Sequence, residues 1–133
     1  MLDTLTKMEA ARLELPLADV PDAQRMAGTP RTGAAKLGAF GGVSLGVWEM
    51  TPGTMRDVEI DEVFVVLHGA GTVDFEDGKQ IELQSGDVVR LFAGQRTVWT
   101  VTSTLRKVWR GRGPAMMVPR TVMNGRALRF TRP

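Results

Sequence analysis

The residues that could do chemistry are concentrated in one stretch, EIDEVFVVLHGAG, from residue 59 to residue 71. It holds three carboxylates, Glu59, Asp61 and Glu62, and His68 is the only histidine in the protein. Such groups transfer protons in general acid–base catalysis, and carboxylate oxygens suit hard divalent cations. The alternative is purely structural: the apolar run is a strand that ends at a glycine turn, and His68 is a polar surface residue at its end.

The composition is that of a small globular domain. The chain has 133 residues, of which 43% are hydrophobic and 24% charged, enough for a single domain with a core. The longest apolar run has five residues, far fewer than the roughly 20 that cross a bilayer, and early charged residues interrupt any signal-peptide core. With no cysteine there is no disulfide or thiolate site. We therefore expect a cytoplasmic protein without a membrane segment.

Positive charge is concentrated at the C-terminus. Residues 1–105 hold 9 Lys and Arg against 15 Asp and Glu, whereas residues 106–133 hold 8 Lys and Arg and no acidic residue. A basic tail suggests nucleic-acid binding, but here the arginines are scattered among Gly, Pro and Met. We expect instead that the tail packs on the acidic body, either its own or that of a partner subunit.

Short apolar segments between recurrent Gly and Pro indicate an all-β fold. The segment VSLGVWEM predicts a strand, and TVWTVTSTLRKVWR predicts a long one. In VDFEDGKQIEL, Asp77-Gly78 between two alternating runs predicts a β-hairpin with a two-residue type I′ turn. Residues 4–14 fit either a short helix or a strand.

Four pieces of the chain resemble the cupin superfamily, whose hallmark is two motifs on a small jelly-roll barrel. They are GVWEMTPG at 46–53, DEVFVVLHG at 61–69, SGDVVRLFAG at 85–94 and TVWTVTSTLRKVW at 97–109. Together they are similar to the small single-domain cupins grouped with (S)-ureidoglycine aminohydrolase and the ethanolamine-utilisation cupin, many of unknown function. The matching positions are Trp48, Glu49, Asp61, Glu62, Trp99, Arg106 and Lys107.

The metal-binding histidines of a typical cupin are absent. Counting back from Gly69 places Glu62 at the glutamate ligand position of the first motif, but no histidine stands at the positions before it in any register. In the second motif Thr97 stands in place of the histidine ligand, and His68 falls outside every ligand position. Transition metals prefer imidazole or thiolate ligands. We therefore expect no cofactor, with a divalent cation held by Glu59, Asp61 and Glu62 as the weak alternative.

The resemblance implies a site inside the barrel. If Glu62 points inward, strand alternation turns Phe64 and Val66 inward as well, and a carboxyl in such a cavity has a raised pKa unless a cation pairs with it. Arg56, Arg90 and Lys107 are candidate partners, and Lys107 alternatively holds an anionic ligand or is solvated on an edge strand. The predicted ligand-binding residues are Glu62, Trp99, Lys107, Arg56, Thr97 and Trp48. Trp99 forms either a pocket wall or simply core.

The architecture implied is an all-β cupin jelly roll. We divide the chain into an N-terminal arm at 1–40, a barrel at 41–112 and a basic tail at 113–133. We expect a homodimer, in which the flanking methionines Met26, Met116, Met117 and Met123 supply an apolar contact.

Three classes of function remain open at this point. The first is a binder of a small polar molecule that needs no transition metal. The second is an enzyme related to ureidoglycine aminohydrolase, or a metal-free isomerase, with Glu62, Lys107 and His68 as candidate catalytic residues. The third is a non-catalytic interaction protein with a packed barrel. The sequence leaves open whether the protein is an enzyme.

Overall fold

The computed structural model describes residue 2 and residues 6–112, and these form one antiparallel β-structure of nine strands. The strands are β1 (Ala18–Asp19), β2 (Arg25–Ala27), β3 (Arg31–Phe40), β4 (Val43–Met50), β5 (Gly53–Val58), β6 (Asp61–Phe75), β7 (Gln80–Gln84), β8 (Val88–Leu91) and β9 (Arg96–Arg112). The all-β prediction is confirmed. The part of the chain that is described contains no helix able to cross a membrane.

Two long strands hold the barrel together. β6 and β9 pair along almost their whole length. On its other side β9 pairs with β5 through its first half and with β4 through its second half, while β6 pairs with β8 and then with β7. Each long strand therefore contributes to both halves of the curled sheet.

The curvature comes from irregular pairing in the middle of β6. The register against β9 shifts between Val66 and His68, between His68 and Ala70, and between Ala70 and Gly71. Gly69 adopts φ 98°, and a Cβ there would overlap the backbone of Thr104 on β9. Extra residues of this kind bend and twist a strand. The prediction that the strand ends at His68 is therefore wrong, since β6 continues through the bend to Phe75.

The core lies on the concave face of the sheet. Its fully buried large side chains include Phe64, Leu91, Trp99 and Leu105, one or more from each of β6, β8 and β9. The alternation expected for β6 is present, because Glu62, Phe64 and Val66 are buried while Val63 and Val65 between them are exposed.

The hairpin between β6 and β7 forms, but its turn differs from the prediction. The amide of Gly78 donates to the carbonyl of Phe75, and the amide of Phe75 donates to the carbonyl of Lys79. The loop therefore has three residues, Glu76, Asp77 and Gly78, with only the glycine required at positive φ, here 92°. This is the turn-plus-bulge hairpin, which matches strand twist as well as the predicted two-residue turn does.

The N-terminal region also differs from the prediction. Residues 31–40, predicted as part of an arm, form β3 and pair along β4. Residues 6–14 contain turns at 10–12 and no helix. The predicted tail at 113–133, with Met116, Met117 and Met123, lies outside the described residues.

Candidate functional site

A buried polar cluster lies on the concave face of the sheet. Glu62 comes from β6, and Thr97, Trp99 and Lys107 come from β9, where their odd numbers place them on the same face. Glu59 lies in the two-residue link between β5 and β6. Its amide donates to the carbonyl of Gln95, and its carbonyl accepts from the amide of Gly94. These five residues, the barrel cluster, are each no more than 7% exposed.

Lys107 and Glu62 form a buried ion pair. The Lys107 Nζ donates to Glu62 Oε2 at 2.6 Å. The ammonium also lies against three aromatic rings, with Nζ 4.2 Å from the centroid of Phe64 and 4.8 Å from those of Trp48 and Trp99. A desolvated cation over ring faces gains cation–π energy of about 2 kcal/mol or more. This explains how a lysine is accommodated among core aromatics.

Glu59 is held by two neutral donors. Its Oε2 accepts hydrogen bonds from the Thr97 hydroxyl at 2.5 Å and the Trp99 indole Nε1 at 2.9 Å. The pKa of Glu59 is raised from 4.5 to about 7, chiefly by burial and also by the negative charges of Asp57 and Glu62, against the lowering effects of Lys107 and the Thr97 hydrogen bond. Glu59 therefore changes charge close to neutral pH.

One oxygen of each buried carboxyl accepts from no donor in the described part of the chain. Among residue 2 and residues 6–112, no donor reaches Oε1 of Glu59 or Oε1 of Glu62. A buried polar atom without a hydrogen bond costs roughly 1–3 kcal/mol. The barrel cluster therefore offers two acceptors that another molecule can satisfy.

Several of the residues predicted for the site lie outside the barrel cluster. Arg56 is exposed, because it follows the inward-facing Met55 on β5. Asp61 is half exposed on the opposite face from Glu62, where its Oδ1 accepts from the Ala93 amide at 3.0 Å and lies 3.5 Å from Arg90. Arg56 and Arg90, two of the three candidate partners of Glu62, are therefore wrong. The third candidate, Lys107, pairs with the Glu62 carboxylate.

His68 is also directed away from the cluster. Its ring is exposed, and Nδ1 lies 3.3 Å from the carbonyl oxygen of Thr104. Simple alternation from Glu62 would place His68 inside the barrel. The register shift after Val66 adds one residue to β6, so the even-numbered His68 side chain points outward. His68 therefore does not contact Glu62 or Lys107.

Two features of the site were missed by sequence reasoning. The sequence assigns Glu59 only the role of a weak metal ligand, although Thr97 and Trp99, two residues apart in a strand-like run, are a signal of a shared inward partner. Arg106 was matched to the family without a role. It is buried on the opposite face of β9, where its Nε donates to Glu49 at 2.8 Å and its guanidinium also donates to the carbonyls of Ala10 and Leu13.

The Arg106 contacts fasten the N-terminal segment across the outer face of the sheet. An open groove of about 610 Å³ lies beside them. Its lining residues are Arg12, Leu13, Glu14, Leu15, Pro16, Glu49 and Arg106. The groove is separated from the barrel cluster by the sheet itself, so the two are distinct features.

The donor set of the barrel cluster does not fit a transition metal. Thr97 stands where a cupin carries a histidine ligand and is a neutral hydroxyl that donates to Glu59. The Glu62 carboxylate, at the remaining ligand position, binds the Lys107 ammonium. In the described residues no three acidic or imidazole groups converge on one point. The three weak metal candidates, Glu59, Asp61 and Glu62, are split between the two faces of the sheet.

The comparisons with known proteins agree with this fold. The EutQ protein of Clostridium difficile superposes with a TM-score of 0.61 at 14% identity, covering 79% of this chain and 84% of that one. A putative ethanolamine utilization protein Q from Salmonella typhimurium gives 0.53 at 19%, covering 60% and 68%. A DUF861-family protein of unknown function from Pseudomonas syringae gives 0.64 at 22%, covering 76% of this chain and 45% of that one.

At these identities the solved structures show a shared fold and no more. The search of curated proteins found no match. The family model for the EutQ-like cupin domain matches residues 37–109, which are more than half of the chain and include all five residues of the barrel cluster. The chain therefore belongs to the family of EutQ-like cupin domains.

Proposed function

We propose that this cupin domain binds a small polar molecule inside its barrel, without a transition metal. The observation that carries the proposal is the pair of buried carboxyls, Glu59 and Glu62, each with one oxygen that no described protein group satisfies. A polar cluster kept only for stability would gain nothing from this arrangement, because well-packed apolar residues are as stabilising as a buried ion pair.

The surroundings of the cluster support a recognition role. Trp48, Phe64 and Trp99 form a rigid aromatic wall, with the Trp48 and Trp99 centroids 5.4 Å apart and those of Phe64 and Trp99 5.8 Å apart. Small-molecule sites combine such apolar walls with a few fixed polar groups. Arg56 and His68, which face away, have no part in this proposal.

A thermal-shift screen of small amines, ureides and carboxylates tests it. A ligand at ten times its dissociation constant stabilises the folded state by about 1.4 kcal/mol, which raises Tm by about 5 °C for a domain of this size. The shift should be much smaller in Glu59→Gln and persist in full in the control Glu76→Gln, whose side chain lies in the exposed β6–β7 turn. A screen in which no compound raises Tm would contradict the proposal.

Acid–base catalysis without a metal is the second candidate, and Glu59 favours it. A carboxyl whose pKa lies near 7 is both a competent base and a competent acid at neutral pH. Lys107 holds the adjacent Glu62 charge in place. If Glu59 is the acid or base, Glu59→Gln should abolish turnover but only weaken ligand binding. Comparing the two losses separates catalysis from binding.

Assembly and location rest on the family resemblance and on composition. We propose a cytoplasmic homodimer in which Met26, 47% exposed on β2, is one of the contacting residues. Light scattering at micromolar concentration should give twice the mass of 14.5 kDa. A filter-binding assay at low and moderate salt should show no nucleic-acid binding by the basic tail.

A further inference from the structure

The barrel cluster has unused acceptors but no unused cation. Within residues 6–112, the carboxyl oxygens of the cluster that accept from no donor are Oε1 of Glu59 and Oε1 of Glu62, both acceptors when ionised. Its one cation, Lys107, is 2.6 Å from Glu62, and aromatic faces surround the rest of the ammonium.

The other cations of the described chain point elsewhere. Arg56 is exposed on the outer face of β5, Arg90 stacks on Phe92 with its guanidinium carbon 4.0 Å from the ring centroid, and Arg106 is fastened to Glu49 and the N-terminal segment. An anion entering the cluster would therefore meet two carboxyls and displace an existing ion pair to find a partner. Removing one member of a buried ion pair costs roughly 3–5 kcal/mol.

A molecule with hydrogen-bond donors, in contrast to an anion, can bind the cluster without displacing the ion pair. Each N–H or O–H that it brings can satisfy one carboxyl oxygen that has no donor, without competing for the oxygens that already accept from Lys107, Thr97 and Trp99. Hydrogen bonds to an ionised carboxylate are about twice as strong as neutral ones, so a cationic donor gains most.

Building on the proposed function, we propose that the barrel cluster selects a small ligand with two donor groups, preferably an amine, and excludes carboxylates. Glu59 and Glu62 are the two acceptors, and Lys107 fixes the position of Glu62 rather than contacting the ligand. If Lys107 held an anionic ligand instead, the site would prefer carboxylates to amines.

Three probes with one carbon skeleton separate these specificities: 1,3-diaminopropane, 1,3-propanediol and malonate. The indole N–H of Trp99 donates to Glu59 Oε2, so its NMR resonance reports directly on occupancy of the site. The chain has three tryptophans, and Trp99→Phe assigns the signal by its disappearance. Trp109, on the same strand but outside the cluster, serves as the internal control.

Titration of the diamine should move the Trp99 signal saturably and leave that of Trp109 in place. The diol should bind about tenfold more weakly, because it lacks the charge, and malonate should cause no saturable change. Glu59→Gln should weaken diamine binding about tenfold or more, whereas Glu76→Gln should not change it.

Malonate binding as tightly as the diamine would overturn the specificity while leaving the barrel site intact, and dependence of that binding on Lys107 would identify the anion anchor. A shift that also appears for Trp109, or that Glu59→Gln does not change, would likewise overturn it. If none of the three probes moves the Trp99 signal and the thermal-shift screen is also blank, the proposed binding function fails as well.

Discussion

Replacing Glu59 with glutamine should change how stability depends on pH. Folding transfers this carboxyl from water to a site beside Asp57 and Glu62, and its pKa rises from 4.5 to about 7, chiefly because of burial. Between these two values the folded state holds the proton more tightly than the unfolded state does. Glu59 therefore contributes stability that is fully present below pH 4.5 and is lost as the pH rises through 7.

The size of the effect follows from the shift. One pKa unit corresponds to 1.36 kcal/mol, so a rise from 4.5 to about 7 corresponds to about 3 kcal/mol of stability lost across this range. Glutamine resembles the protonated form and does not titrate. Its amide oxygen can still accept from the Trp99 indole, so the contacts of the site are largely kept.

The assay is urea unfolding followed by tryptophan fluorescence, at several pH values from 4.5 to 8 and at constant ionic strength. The free energy of unfolding of wild type minus that of Glu59→Gln should fall by about 3 kcal/mol over this range. Other titrating groups are shared by the two proteins and largely cancel in the difference. Glu76→Gln, exposed in the β6–β7 turn, should give a difference that does not vary with pH.

Parallel pH profiles for wild type and Glu59→Gln would refute the reasoning. They would mean that Glu59 keeps an ordinary pKa in the folded protein, so that burial does not outweigh the opposing effect of Lys107. The amine specificity inferred for the barrel cluster does not depend on this outcome, because an ionised Glu59 is still a hydrogen-bond acceptor.

Three further outcomes can be measured by the same unfolding assay or by hydrogen exchange. Lys107→Met should destabilise the fold by roughly 3–5 kcal/mol, since it leaves the Glu62 carboxylate buried without a cation. Adding Glu62→Gln should recover most of that loss. Equal stability of the single and double variants would contradict the ion-pair description. Gly69→Ala should cost about 3 kcal/mol or more, because φ is positive and β9 blocks the new methyl group, whereas Gly86→Ala, with φ 92° but open space, should cost only about 1 kcal/mol; similar losses at both glycines would be inconsistent with the close strand contact. Arg106→Lys should speed hydrogen exchange in residues 6–16 and leave exchange in the barrel strands unchanged, since lysine cannot reproduce the fork that reaches a carboxylate and two carbonyls; unchanged exchange in that segment would show that other contacts hold it.

The local signals of the sequence predicted most strands but not the irregular positions. The cupin resemblance implied that Glu62 and Thr97 face inward, and alternation extended this to residues 62–66 and 97–101, because side-chain direction in a regular strand depends only on parity. The same rule failed at His68, since the bulge after Val66 inserts an extra residue. That bulge is needed to close the sheet against β9, and closure is not a property of the local sequence.

The sequence by itself determined the strand content, the inward position of Glu62 and the loss of the histidine ligands, because composition, parity and motif position express these directly. Only the tertiary structure decided which charges meet. Lys107 joins Glu62 across 45 residues, and Thr97 joins Glu59 across 38. Arg106 and Lys107 are neighbours in the chain, yet both are buried because the N-terminal segment covers one face of β9 and the barrel encloses the other. Burial of this kind depends on which distant segments pack together, and it is this burial that gives Glu59 its pKa near neutrality.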